Sequence, residues 1–241
     1  MQSAMISEQG NREINEDFVG KIEDTVHGTG CFVLCDGLGG HGHGEVASRL
    51  VVESICGTYS AGGQREDFLQ SAVCEGQNKL LALQKEWHEQ SEMKTTVVLL
   101  KVGDREMQWC HVGDSRLYYF EKNKLRQRTL DHSVPQMLVS AGEIKEKEIR
   151  HHPDRNRLLR VMGMEWDSPK YALSEPVPKA DRQAFLLCSD GFWELIDEKA
   201  MQKCLKKAKT PEEWLALMRG IVLKNGKNTD MDNFSAIAVF V

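Results

Sequence analysis

The stretch FVLCDGLGGHGHGEVAS, residues 32–48, is the most informative part of the sequence because it predicts a strand, a tight turn and a helix in immediate succession. Its apolar residues 32–35 suit a buried strand, and helical periodicity begins near residue 45. Between them lie Asp36 and five glycines within eight positions. Glycine frees the backbone to approach other groups closely. An acidic side chain beside so free a backbone indicates a crowded site at the tip of a strand.

The same pattern of a strand followed by an acid recurs along the chain. FLLCSDG places Asp190 after residues 185–188, VGDSR places Asp114 after another apolar run, and DMDN places Asp230 and Asp232 before the final strand. Any one of these is explained by ordinary turn chemistry. Together they predict several carboxylates at one sheet edge, where mutual repulsion favours a bound divalent cation. A set of oxygen donors favours Mg²⁺ or Mn²⁺, which act on phosphate esters.

The N-terminal segment REINED adds three candidate site residues, Arg12, Glu16 and Asp17. A guanidinium group can bind phosphate oxygens in a fork, and the two acids can support metal ions. Taken alone, the segment reads equally well as a solvated stretch of surface.

Length and composition place the chain among ordinary globular proteins. It has 241 residues and a net charge of −5, which predicts one domain over residues 1–241 and disfavours nucleic acid or an anionic membrane as a partner. Seven cysteines without a CxxC pair predict free thiols and a cytoplasmic location. The N-terminus lacks the features of a signal peptide, and no apolar stretch reaches membrane-spanning length, so we expect neither export nor an anchor.

Periodicity predicts a mixture of strands and helices. Strands are expected at 30–35, 184–188 and 234–241, with an antiparallel meander over 95–129. Helices are expected near 45–59, 67–88 and 197–208, and from Thr210 to about Gly226, where TPEE is a capping sequence. The polar segment 131–165 is interpreted as a surface insertion, with Asp131 or Ser133 capping a short helix that Pro135 begins.

Two motifs suggest other enzymes. Gly37, Gly39 and Gly42 match the dinucleotide-binding fingerprint. That fingerprint requires a second parallel strand that ends in an acidic residue about 20 residues later, and this strand is missing here. Cys110 to Arg116 matches the spacing of thiolate phosphatases, but a strand follows where a helix N-terminus is needed. A core cysteine explains the second motif better.

Two further patterns contain suggestive residue types. DHS, residues 131–133, contains the three residue types of a Ser-His-Asp hydrolase triad. Consecutive residues cannot form the hydrogen-bond relay that such a triad needs. His41 and His43 lack the second ligand pair that zinc requires, so we interpret them as exposed loop histidines.

Taken together, the motifs identify a family. The chain resembles the bacterial branch of the metal-dependent Ser/Thr protein phosphatases, the PPM or type 2C family, nearly from end to end. The resemblance rests on GNREINEDF, CDGLGGHGHGEVAS, TTVVLL, HVGDSRLYYF, LDHSVPQMLVSAGEI, HHPDRNRLLRVMG, LLCSDGFWELI and DNFSAIAV, in family order. It implies an α+β fold in which two packed antiparallel β-sheets are flanked on both sides by helices, an α-β-β-α sandwich.

The resemblance also implies a binuclear Mn²⁺ or Mg²⁺ centre that activates water for attack on phosphoserine and phosphothreonine. In it Asp36 bridges the ions and is catalytic, Asp190 and Asp232 serve one ion, and the Gly37 carbonyl and Glu16, the latter through water, serve the other. Further implied roles are phosphate binding and catalysis by Arg12, a weaker third ion at Asp114 with Asp190, and support from Asp17 and Asn233.

Segment 131–165 matches the variable flap of the family, which implies substrate recognition by Arg150, Arg155, Arg157 and Arg160; a solvated basic face is the alternative. Many eukaryotic members carry a histidine, proposed as general acid, where this chain has Leu38. A water or His41 could replace it, and we favour the water.

The implied partners are phosphorylated Ser/Thr proteins, including a bacterial Ser/Thr kinase or its targets, in one subgroup within type VI secretion control. We expect a monomer. The alternative function is a catalytically silent domain that binds phosphoproteins.

Overall fold

The computed structural model describes residues 1–39, 43–63, 65–88 and 92–241. One antiparallel sheet has five strands in the order β1-β12-β11-β7-β8. Their bounds are Gln2–Glu8 (β1), Arg116–Glu121 (β7), Lys124–Arg128 (β8), Gln183–Cys188 (β11) and Phe234–Phe240 (β12).

A second antiparallel sheet has the order β10-β6-β5-β3-β2, with β4 paired to β3 and β9 to β6. Its strands are Asp17–Asp24 (β2), Thr29–Leu38 (β3), Lys94–Thr95 (β4), Val97–Val102 (β5), Glu106–Val112 (β6), Ala172–Leu173 (β9) and Val177–Pro178 (β10). The helices are Gly44–Gly62 (α1), Phe68–Trp87 (α2), Val134–Ser140 (α3), Asp190–Trp193 (α4), Glu198–Lys207 (α5) and Pro211–Gly226 (α6), with a 3₁₀ turn at Glu146–His151. In the described part of the chain, no helix combines the length and the apolar character needed to cross a membrane.

Three layers of apolar side chains hold the sheets and helices together. Between the sheets lie side chains such as Phe32, Leu100 and Phe185. A second layer packs the other face of the β3 sheet against α1 and α2, and a third packs the β11 sheet against α4, α5 and α6. Both faces of each sheet are therefore buried, which explains why residues 31–35 of β3 and 184–188 of β11 are continuous apolar runs instead of alternating. The expected α-β-β-α sandwich is confirmed.

The predicted strands at 30–35, 184–188 and 234–241 correspond to β3, β11 and β12, and the four predicted long helices are α1, α2, α5 and α6. Two sequence predictions of capping are also confirmed. Thr210 caps α6 through the Glu213 amide, and Ser133, not Asp131, caps α3 through the Gln136 amide. Side-chain oxygens at these positions satisfy amides that the first helical turn leaves unpaired.

The single meander predicted over 95–129 is wrong. Strands β5 and β6 pair in one sheet, whereas β7 and β8 pair in the other. The GDS sequence between β6 and β7 is therefore a crossing between sheets rather than a hairpin, and Gly113 enables it with φ +102°. This crossing carries Asp114 to the same end of the sandwich as Asp36.

Candidate active site

A cavity of about 600 Å³ opens at one end of the sandwich, where strands of both sheets begin or end. Asp36 lies near the end of β3, Asp190 follows β11 and Asp232 precedes β12, while Asp114 lies in the crossing between the sheets. The structure brings these four carboxylates together with predicted site residues from the N-terminal segment and the β3 turn; they are Arg12, Glu16, Gly37 and Asn233. The described lining also includes Leu38, Gly39, Asn156 and Leu158.

Two threonines hold the Asp36 backbone in place. The Asp36 amide donates to Thr96 Oγ1 at 3.0 Å, and its carbonyl accepts from the Thr96 amide and from Thr95 Oγ1, both at 2.8 Å. Thr96 Oγ1 also lies 2.7 Å from Ser115 Oγ, beside Asp114 in sequence. The positions of two site loops are thus coupled through one buried hydroxyl pair.

Gly37 occupies a position that no other residue could fill. A Cβ atom there would overlap the carbonyl of Gly44, the first residue of α1. The Gly37 amide donates to the Glu16 carbonyl at 3.1 Å, so this contact draws the β3 turn onto the N-terminal segment. Close backbone approach, rather than flexibility, explains this glycine.

Asn233 organises the N-terminal segment that carries Arg12. Its Oδ1 accepts from the Glu16 amide at 2.8 Å, while its Nδ2 donates to the carbonyls of Gln9 at 2.7 Å and Ile14 at 3.0 Å. Arg12 Nη2 donates to Asp232 Oδ2 at 2.9 Å, and both side chains are partly exposed at the cavity rim. A cationic group therefore stands at the entrance to an acidic cavity.

Burial and mutual repulsion oppose ionisation of the carboxyl groups. Burial raises the pKa of Asp36 and of Asp114 well above the usual range, and the neighbouring carboxylates add to the effect. The pKa of Asp190 is raised by burial and by Asp232. Burial raises the pKa of Asp17 to about 7, although Ser189 Oγ donates to its Oδ2 at 2.7 Å. A bound cation would relieve this repulsion.

The donor chemistry fits a hard divalent cation. The carboxylates and the Gly37 carbonyl are all oxygen donors, and Asp17 Oδ1 is buried without a hydrogen-bond partner among the described residues. Within the described ranges, no three acidic, histidine or cysteine side chains form a complete metal cage. Mg²⁺ usually retains several waters and binds few carboxylates, so it does not require such a cage.

Sequence reasoning missed the contacts that connect the flap to the acidic cavity. Trp193, on the helix that begins at Asp190, donates from Nε1 to the Asp114 carbonyl at 3.0 Å. The Arg116 guanidinium stacks on the Trp193 ring, 3.4 Å from its centroid, and forms a buried ion pair with Asp131 at the start of the flap. The GFW and GDSR motifs are visible in the sequence, but nothing there indicates that they touch.

The four flap arginines lie in different surroundings. Arg150 points into the protein, where it donates to the carbonyls of Trp193 and Ile196 and to Glu198. Arg155 forms an ion pair with Glu194 at 2.9 Å beside the acidic cavity. Arg157 is exposed, and Arg160 lines a different cavity. The contacts of Arg150 favour a structural role for it over the role predicted in substrate recognition.

The structure also bears on the alternatives weighed from sequence. Cys110 is fully buried in β6, burial raises the pKa of its thiol, and Arg116 is bound to Asp131, so the core-cysteine interpretation is confirmed. Leu38 lines the acidic cavity where many family members carry a histidine. His41 and Gly42 lie outside the described residues.

Comparison with known proteins identifies the family. A model of the family "Protein phosphatase 2C" matches residues 7–218. The serine/threonine phosphatase stp of Listeria monocytogenes serotype 4b (strain F2365) is 30% identical over 208 residues, covering 84% of this chain and 81% of the relative.

Solved structures agree. The serine/threonine phosphatase Stp1 from Staphylococcus aureus matches with a TM-score of 0.87 at 29% identity, covering 99% of this chain and 94% of that chain. The catalytic domain of the serine/threonine protein phosphatase PstP, solved in complex with 2 manganese ions, matches with a TM-score of 0.83 at 26% identity, covering 100% and 98%. The chain therefore belongs to the protein phosphatase 2C family and is a serine/threonine protein phosphatase.

Proposed function

We propose that the acidic cavity binds two Mn²⁺ or Mg²⁺ ions and hydrolyses phosphoserine and phosphothreonine in proteins. The observation that carries the proposal is the convergence of Asp36, Asp190 and Asp232 with the Gly37 carbonyl in one cavity. The manganese ions in the related PstP structure support it. The ions would supply Lewis acidity towards a phosphoryl oxygen and towards the attacking water.

Each site residue has a separate role in holding the ions. Asp36 would bridge the ions, Glu16 and the Gly37 carbonyl would hold one of them, and Asp190 and Asp232 would hold the other. Asp114 and Asp190 would hold a weaker third ion. Asp17 and Asn233 would support these groups, Asn233 through its hydrogen bonds to the N-terminal segment.

Arg12 would bind the phosphoryl group at the rim of the cavity. Its guanidinium already contacts one carboxylate, and it would exchange part of that contact for phosphate oxygens. Charge that develops on those oxygens would then meet a positioned donor, which is an electrostatic route to catalysis. With Leu38 in place of the family histidine, water supplies the proton to the leaving alkoxide.

Carboxylate substitutions test the centre. Asp36→Asn and Asp190→Asn should abolish high-affinity Mn²⁺ binding in calorimetry and lower kcat/KM for a phosphothreonine peptide by on the order of 10²- to 10³-fold. Asp104→Asn is the matched control because Asp104 is an exposed acid in the turn between β5 and β6. Wild-type Mn²⁺ affinity in Asp36→Asn would contradict the proposed ligand set.

Two further measurements separate the alternatives. Cys110→Ser should keep full activity, and the wild-type protein should lose its activity in EDTA. Activity that resists EDTA would favour a thiolate mechanism. Hydrolysis of p-nitrophenyl phosphate with Mn²⁺ excludes the catalytically silent binding domain.

We also propose that residues 1–241 act as one monomeric domain with its flap at 131–165, in the cytoplasm, where the seven free cysteines would stay reduced. The partners would be phosphorylated Ser/Thr proteins, among them a kinase or its targets; the link to type VI secretion remains a prediction. Phosphoproteomes of cells with and without the protein test this, and unchanged Ser/Thr phosphosites would contradict it.

A further inference from the structure

A second cavity of about 600 Å³ lies beside the flap, outside the acidic site. Its lining comes from β6, from Gln127 and Arg128 at the end of β8, from the loop 129–133, from α3 and from residues 159–160 and 172–174. We call it the flap groove.

The flap groove exposes an unusual amount of apolar surface. Four large hydrophobic side chains that line it are exposed by 38–57%; they are Leu130, Met137, Leu159 and Leu173. Among the described residues, ten large hydrophobic side chains are exposed, so four of the ten share this one cavity. Single exposed apolar side chains are ordinary, but several around one cavity indicate a binding surface.

The charge of the flap groove is positive at one end. Among its described lining residues the only acid is Asp131, which is buried and bound to Arg116 and Arg128. Arg160 is exposed and forms no ion pair with any described residue. A guanidinium beside apolar surface is complementary to a bulky apolar side chain with a carboxylate next to it.

The flap groove and the acidic cavity share one wall. Asn156 and Leu158 line the acidic cavity, whereas Leu159 and Arg160 line the flap groove. Backbone contacts connect this wall to the start of the flap. The Leu159 amide donates to the His132 carbonyl at 2.7 Å, and Leu158 forms an antiparallel β-bridge with Ser133.

Because Leu158 and Leu159 are adjacent in the chain and line different cavities, a peptide bound across this wall would contact both cavities. An extended chain advances about 3.3 Å per residue, so a side chain roughly three to five residues from a phosphorylated residue could cross the wall. The phosphate would lie among the carboxylates and Arg12, and the distant side chain would lie in the flap groove.

We propose that the flap groove is a docking site for the substrate protein, taking a bulky apolar side chain flanked by an acidic residue a few positions from the phosphorylated Ser or Thr. The proposal rests on the proposed function of the acidic cavity. It makes the substrate role predicted for Arg160 specific, as recognition of an acidic residue at a distance from the phosphate.

Short phosphothreonine peptides test the proposal. Each carries a Leu-Glu pair three, four or five residues to one side of the phosphothreonine, and a reference peptide carries Ala-Gln instead. At one of these positions the wild-type protein should show a kcat/KM about five- to tenfold higher than for the reference, mainly through a lower KM.

Groove variants show whether that preference belongs to this surface. Met137→Glu should reduce the ratio between the two peptides to about one, whereas Leu217→Glu, which alters an exposed leucine on α6, should keep it. A third peptide with a Leu-Gln pair isolates the effect of the acid: Arg160→Gln should abolish the preference for Leu-Glu over Leu-Gln, whereas Arg157→Gln, in the same segment, should keep it. Because each ratio compares two peptides on one protein, a general loss of activity cancels.

The outcomes are distinguishable. Hydrolysis of all peptides with equal kcat/KM would overturn the docking site while leaving the proposed function intact. Failure to hydrolyse any peptide or p-nitrophenyl phosphate with Mn²⁺ would remove both. A concentration-dependent dimer that Met137→Glu dissociates, with unchanged peptide ratios, would assign the groove to a second copy of the chain instead.

Discussion

The buried ion pair between Arg116 and Asp131 makes the sharpest stability prediction. Arg116 Nε and Nη2 donate to the two carboxylate oxygens at 2.8 and 2.6 Å, and both side chains are almost fully enclosed. Arg116→Met keeps the unbranched apolar stem of the side chain, removes the guanidinium, and leaves Asp131 with Arg128, at 3.4 Å, as its remaining ion-pair partner among the described residues.

The magnitude follows from the buried Asp131 charge, which loses its bidentate partner and keeps only the longer contact with Arg128. Removing one partner of a buried ion pair costs about 3–5 kcal/mol. For a chain of this size each kcal/mol lowers Tm by about 2–4 °C, so Arg116→Met should lower Tm by about 6–20 °C. The loss is a large share of a total stability of about 5–15 kcal/mol.

Thermal unfolding followed by circular dichroism measures the effect, with Arg126→Met as the control. Arg126 forms an ion pair with Glu121 at 2.8 Å near the same hairpin, but it is about half exposed, so its loss should cost less than about 1 kcal/mol. The double variant Arg116→Met/Asp131→Leu should recover much of the stability, because it removes the buried carboxylate that has lost its main partner. Equal shifts in the two single variants would refute the reasoning.

The remaining predictions concern pH and two glycines. Burial and His111 lower the pKa of His132 to about 3. As pH falls, the His132 side chain is therefore protonated in the unfolded chain at a higher pH than in the folded chain. The folded state keeps its full stability above about pH 6.5 and loses it progressively as pH falls towards 3. In urea unfolding, the stability of wild type relative to His132→Asn should fall by up to about 1.4 kcal/mol per pH unit between pH 6 and 4, and a constant difference would contradict this. Gly57→Ala, exposed within α1 with open space around it, should raise stability by about 0.8–1.0 kcal/mol in the same assay, and a loss would contradict the helix geometry. Gly10→Ala should lower both Mn²⁺ affinity and Tm, since Gly10 has φ +62° and an added Cβ would overlap the Asp232 carbonyl; unchanged calorimetry would contradict this.

Local sequence signals predicted most helices and the central strands. The capping residues Thr210 and Ser133 and the apolar runs of β3 and β11 depend on neighbours in the chain, so a single sequence displays them. Strands β1 and β2 were not predicted, because their mixed composition becomes strand only through pairing with β12 and β3.

The acids of the candidate site were also visible in the sequence, because each one ends or begins a recognisable apolar run. Their environment was not visible. Three of its hydrogen bonds join residues 43 to 79 positions apart in the chain: Asp36 with Thr96, Trp193 with the Asp114 carbonyl, and Arg150 with the Trp193 carbonyl. Such contacts leave no local pattern that a sequence can show.

Residue type and local order were enough to identify the donor atoms, the strand ends that carry them and the family to which the chain belongs. How the two sheets share these strands, which arginines reach a cavity and where the flap groove lies became visible only in the folded molecule. Burial, repulsion between carboxylates and the shape of a cavity depend on distances in space between segments that are remote along the chain.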